Sequence, residues 1–314
     1  MAAHVLVLLF PAQGHINCML HFAAGLLHAG LHVTFLRTDH NRRRLGLAAA
    51  EADATSPRLR FLSFSDGLPD DHPRSAGDLA PLVESLRTTT SVVYRTLLAS
   101  LSAGARRDDG ATTGLGDGFP SVTCVVADGI LPFAVDITKE TGIPALAFRT
   151  ASGCSFLAFL SVPRLVELGE VHPVPVGTAD DLDAPVRGVP GMEGFLRRRD
   201  LPSFRRGHAK ATDPTLQIVA KFTAHNCRAR ALILNTAASL ERAAVAHIAP
   251  HTRDVFAVGP LHAMFQAPAA GGALWREDDG CTAWLDGHAD RTVVYVSVGS
   301  FAVISPEQFT EFLS

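Results

Sequence analysis

The sequence predicts an α/β protein built around a doubly wound parallel sheet. Eight apolar runs of strand length alternate with longer helical segments. Several of these runs are apolar at nearly every position, as parallel strands covered on both faces must be. The alternation of strand and helix implies the doubly wound arrangement.

Taken in order, HVLVLLF (4–10) is the first strand and leads into a helix over 15–29. LHVTFLR (31–37) and LRFLSF (59–64) follow as strands, and a long helical segment covers 77–104. VTCVVA (122–127) precedes a helix over 132–142, and PALAF (144–148) precedes one over 151–168. A helix at 213–229 leads to ALILN (231–235), a helix at 237–248 leads to DVFAV (254–258), and VVYVSV (293–298) is the last strand. Three stretches, 106–120, 170–207 and 260–280, read as loops. The last is rich in Ala, Gly and Pro and is the expected linker between a domain over 1–259 and the beginning of a second over 281–314.

Composition excludes several classes. The chain has 314 residues, 47% of them apolar, which suffices for about two domains. A net charge of −3 provides no single-sign field for nucleic acid or an anionic membrane. The short basic clusters at Arg42–Arg44 and Arg197–Arg199 read as solvated faces. Five dispersed cysteines (Cys18, Cys124, Cys154, Cys227, Cys281), with no CxxC pair, argue against a disulfide framework and a zinc site. No stretch approaches the ~20 apolar residues of a membrane span, and the N-terminal run lacks the flanks of a signal peptide. A cytoplasmic monomer is expected, with no nucleic-acid partner.

Chemistry concentrates at two strand ends. In open α/β sheets ligands bind at the carboxyl edge, where helix N-termini present free N–H groups. His15 follows the first strand in FPAQGHIN, and Gly14 beside it removes a side chain where a ligand would approach the backbone. The helix dipole there disfavours imidazolium, leaving a neutral ring able to accept a proton. From this junction alone, a helix-capping His15 is an equal alternative. Asp128 ends VTCVVAD at the same edge, where a carboxylate would fix the tautomer of an imidazole and stabilise its cation. Taken singly, an Asp at this position is more often a structural helix cap than a catalytic group.

HVLVLLFPAQGHIN, VTCVVADGILPFAVDITKETGIPALAFRT, ALILNTAASLE, VFAVGPL and TVVYVSVGSFAVISPEQFTEF together resemble, in order and spacing, the plant UDP-sugar-dependent glycosyltransferases of small lipophilic metabolites. The resemblance implies a GT-B-like fold of two Rossmann-like domains, with acceptor held mainly by the first and UDP-sugar mainly by the second. It implies His15 as general base and Asp128 as its partner. It further implies Thr150, Gly299 and Ser300 on the donor side, with Gly299 letting backbone N–H groups approach phosphate oxygens; without the resemblance, Thr150 and Ser300 read rather as ordinary caps. Arg149 stands where the family has Trp, and Cys18 where it often has Pro.

The implied reaction is inverting transfer of a sugar, expected to be glucose, to a hydroxyl or carboxyl of the acceptor. No metal or other cofactor is expected, because helix N-termini and hydroxyls would hold the diphosphate. Asp181–Leu182–Asp183 has the spelling of a metal-binding Asp-x-Asp but lies in a Pro-rich loop and reads as a chance match. GLGDG (114–118) precedes a strand, unlike a dinucleotide fingerprint. Phe156, Phe159, Phe195 and Phe204 are acceptor-side candidates, with plain core as the alternative. The family's donor signature, beginning Trp-x-Pro-Gln, is not among these residues, so an incomplete donor site and weak or absent transfer are expected. A non-catalytic small-molecule-binding protein and a nicotinamide oxidoreductase are the alternatives. The second is disfavoured because no glycine fingerprint follows the first strand.

Overall fold

The computed structural model describes residues 3–44, 56–72, 74, 79–103, 119–171, 182–201, 214–267, 274, 279–297, 299 and 304–313. Seven strands form one sheet: β1 (His4–Leu8), β2 (His32–Thr38), β3 (Leu59–Phe64), β4 (Cys124–Asp128), β5 (Ala145–Arg149), β6 (Ala231–Leu234) and β7 (Val255–Ala257). Every pairing is parallel, in the spatial order β3-β2-β1-β4-β5-β6-β7. The sheet belongs to a Rossmann-like α/β fold, the class that the continuous apolar runs imply.

Alternation within β1 explains the two-faced burial. Val5, Val7 and Leu9 join one core cluster, whereas Leu6, Leu8 and Phe10 join another on the opposite face. The first face is covered by α1 (Gln13–His28), whose buried Ile16, Met19, Leu20 and Ala23 fall on one helical stripe. The second face is covered by α3 (Leu79–Ser85), α4 (Ser91–Ala103) and α5 (Phe133–Thr141); the short α2 (Asp39–Arg44) follows β2. Further along, α6 (Gly153–Leu160), α7 (Val162–Glu167), α8 (Pro214–Asn226) and α9 (Arg242–Ile248) pack with β5 and β6 around buried Phe156, Leu157, Leu165 and Leu232.

Four expectations change. The segment expected as one helix over 77–104 contains a π-helical turn at Leu86–Thr90 between α3 and α4. There Ser85 donates its hydroxyl hydrogen to the Asp66 carbonyl at 2.6 Å, and Thr90 reaches the Ser65 carbonyl. The segment at 151–168 is two helices, because Pro163, in the first turn of α7, has no N–H with which to continue α6. The run at 293–298 forms no strand among the described residues: Val294 and Tyr295 are each 85% exposed. A strand needs a paired neighbour, and none of the seven strands lies beside it.

The fourth concerns the 260–280 segment, expected as a loop, whose described part contains a short helix. Its helix α10 (Leu261–Met264) buries Leu261, His21 is hydrogen-bonded through Nδ1 to the Phe265 carbonyl at 2.7 Å, and Leu274 donates its N–H to Gln13 at 2.6 Å. Beyond it lie α11 (Asp279–Asp286) and α12 (Pro306–Leu313). Among the described residues no helix is long and apolar enough to cross a membrane.

Candidate active site

The strand order places a topological switch at the β1–β4 boundary. From β1 the chain proceeds to β2 and β3 on one flank, and from β4 to β5, β6 and β7 on the other. The crossovers diverge there and leave a crevice at the carboxyl ends of the two strands. Leu8 is registered opposite Ala127, so the residues that follow β1 and the last residue of β4 meet at one edge.

His15 and Asp128 are joined at that edge. His15 Nδ1 lies 2.6 Å from Asp128 Oδ2, although the residues are 113 apart in sequence. Neither is a helix cap. The N-cap of α1 is Ala12, which places His15 third within the helix, and the N-cap of α5 is Pro132. Asp128 instead accepts three hydrogen bonds: from His15, from the Phe10 N–H at 3.3 Å and from the Ile130 N–H at 3.0 Å.

This arrangement sets the protonation pattern. Burial alone would favour the neutral acid, but the attraction and hydrogen bond of His15, the Ile130 N–H and the Arg149 charge outweigh it. Together they hold the Asp128 carboxyl below the usual carboxylate range. An ionised acceptor at Nδ1 assigns the imidazole proton to that nitrogen. Nε2 is then left with a lone pair and no hydrogen-bond partner among the described residues. The His15 side chain is 21% exposed, while that of Asp128 is 1% exposed. The Phe10 ring meets the imidazole edge-on at 5.2 Å.

An apolar pocket adjoins the pair. Phe10, Val83, Leu86, Ile130, Phe133 and Phe222 are among its lining, together with Arg87, drawn from the end of β1, from α3 and the π turn, from the β4–α5 connection and from α8. None of these was singled out by the sequence reading. Ile130 and Phe133 had a local signal, since they closely follow Asp128. Val83, Leu86 and Phe222 reach the site only through tertiary packing.

The other candidates divide. A Cβ on Gly14 would meet nothing within 4 Å, so that approach to the α1 N-terminus is open. Thr150 follows β5 at the same edge, half-buried. Gly299 is exposed with φ +77, and Ser300 lies outside the described residues, as do Phe204 and Asp181. Phe156 is fully buried in the α6–α9 core, as the plain-core alternative has it. Phe195 is 59% exposed, on a segment whose Val186, Val189, Met192 and Leu196 pack into that same core.

Cys18 sits one turn beyond His15, and burial pushes its thiol up to about 12. That excludes a thiolate nucleophile at neutral pH. Asp183 pairs with Arg199. Among the described residues no group of three His, Cys, Asp or Glu is placed to hold a metal.

No protein-family profile matches the chain. It is 37% identical over 326 residues to the 7-deoxyloganetic acid glucosyltransferase of Catharanthus roseus, covering 99% of this chain and 64% of that protein. It is 35% identical over 322 residues to UDP-glycosyltransferase 85A5 of Arabidopsis thaliana, covering 98% and 63%. The structure of Phytolacca americana UGT2, solved with UDP-2-fluoro-glucose and pterostilbene, matches with a TM-score of 0.67 at 18% identity over 98% of this chain and 62% of that one. The chain thus spans about 63% of the length of these relatives, and its fold is that of GT-B glycosyltransferases. By sequence along nearly its whole length, and by the sheet that carries His15 and Asp128, the chain is homologous to the plant family 1 UDP-glycosyltransferases.

Proposed function

We propose that the chain provides the acceptor-binding and proton-accepting half of a UDP-glycosyltransferase acting on small lipophilic metabolites. The observation that carries this reading is the His15–Asp128 hydrogen bond at the switch point, which leaves Nε2 unpartnered beside an apolar pocket. The naming of relatives as glucosyltransferases supports it, as does the neighbour that binds a UDP-sugar analogue and a stilbene.

In this reading the acceptor packs its apolar body against the pocket formed by Phe10, Phe133 and Phe222 and presents its hydroxyl to His15. As the hydroxyl oxygen forms a bond to the anomeric carbon of the sugar, its proton passes to Nε2. The bond from that carbon to the diphosphate oxygen breaks, and UDP leaves from the opposite face with its electron pair. The product is inverted at the anomeric centre. Asp128 holds the ring and stabilises the imidazolium that forms, remaining ionised itself. Thr150, Gly299 and Ser300 belong to the donor side, and the reading assigns no metal to the step.

The test is glycoside formation, followed by mass spectrometry, with UDP-glucose and a panel of phenolic and terpenoid acceptors. It compares the 314-residue chain with a chimera completed by the unmatched part of a relative. A glycoside from the chimera is the expected result. Acceptor binding without any transfer by a folded chimera would identify a non-catalytic binding protein instead.

A further inference from the structure

Behind the acceptor pocket lies a buried polar cluster that the proposed transfer chemistry does not use. Arg149 ends β5 and is 5% exposed, and Asn226 ends α8 and is 1% exposed. The guanidinium Nη1 and both polar atoms of the Asn226 amide are buried without a hydrogen-bond partner among the described residues. They adjoin one another. A Cβ on Gly129 would come within 2.4 Å of Arg149 Cδ and 2.7 Å of Asn226 Nδ2, so both side chains occupy the space that glycine leaves at the end of β4.

The same cluster adjoins the pocket through two of its walls. Gly129 immediately precedes Ile130, and Asn226 lies one helical turn beyond Phe222 on the same face of α8. Asp128 does not neutralise the guanidinium through a hydrogen bond. Its two oxygens already accept from His15, Phe10 and Ile130. The face of Phe156, 5.7 Å from the guanidinium carbon, gives only a cation–π contact. The Asp128 charge attracts the guanidinium, but the unused Nη1 donor and the unused donor and acceptor of the Asn226 amide are costly to bury unless a ligand completes them.

We infer that Arg149 and Asn226 form an anion-recognition pair at the acceptor pocket, and that the acceptors this chain selects carry a carboxylate on an apolar frame. The inference rests on the acceptor-binding reading above and narrows it to a substrate class. Arg149 is a positioning residue here, since it holds the acceptor by a group remote from the reacting hydroxyl. A guanidinium suits a carboxylate because its donors form a planar fork.

Calorimetric titration of coumarate, mandelate and their methyl esters into the wild-type chain and Arg149→Met tests this. The wild type is expected to bind an acid at least about tenfold more tightly than its ester, and Arg149→Met to bind the two alike. Arg149→Met keeps nearly the same volume and should still fold, while it removes the charge that helps hold Asp128 ionised. Arg149→Lys, which keeps the charge and loses the fork, should retain part of the preference. Equal binding of acid and ester by the wild type, or a preference that survives in Arg149→Met, overturns the anion site while leaving acceptor binding standing. Failure of the wild type to bind any of the four compounds counts against the acceptor reading and this inference together.

Discussion

The carboxyl group of Asp128 accepts three hydrogen bonds inside the fold, and each would be weakened by protonation. Its folded-state pKa is depressed, so its contribution to stability is complete above the unfolded value of about 4 and is lost as pH falls through the lower folded value. Asp128→Asn should therefore cost on the order of 1–3 kcal/mol at neutral pH, and the gap from the wild type should narrow on acidification below about pH 4. Urea denaturation at several pH values measures this, and a gap independent of pH would contradict it. His15 and Asp128 were legible because each ends a strand-to-turn junction of recognisable chemistry. Phe156 and Phe195 were less legible, because aromatic spacing along a helix or loop does not reveal which face becomes core. Arg149 was visible only as a departure from a resembled pattern; its burial, with Nη1 lacking a hydrogen-bond partner among the described residues, beside Asn226, 77 residues further along the chain, was not.

Elements are positioned by contacts between segments far apart in sequence, and α6 shows how. Its N-terminus is capped locally by Ser152, which accepts the Ser155 N–H at 3.1 Å. It is also held remotely by Glu241, just before α9, which accepts the N–H groups of Gly153 at 2.6 Å and Cys154 at 3.2 Å as well as the Thr236 hydroxyl. A carboxylate at a helix N-terminus is favoured by the dipole and satisfies otherwise free donors. Glu241→Ala should lower stability by about 1–2 kcal/mol, with Glu241→Gln losing less; chemical denaturation reads both. Seven of the eight strands were legible because parallel strands are apolar on both faces, so a run of Val, Leu and Ala marks them without reference to partners. The eighth forms no strand over its described residues 293–297, where no strand lies beside it and Val294 and Tyr295 are exposed. The π turn was equally hidden, because its cause is the pair of carbonyls at Ser65 and Asp66 that the helix hydroxyls reach.

On the scale of the molecule, the strand order matters more than any single element. The switch between β1 and β4 brings the start of α1 and the end of β4 to one crevice, and the pocket beside it draws walls from four separate regions of the chain. The central claim is that His15 accepts the acceptor proton at that crevice. The direct measurement is the turnover number of His15→Ala beside the wild type in the completed chimera, with acceptor affinity measured in parallel. The account predicts a fall of roughly 10²-fold or more in turnover with affinity nearly unchanged. Near-wild-type turnover by a folded His15→Ala protein would contradict it.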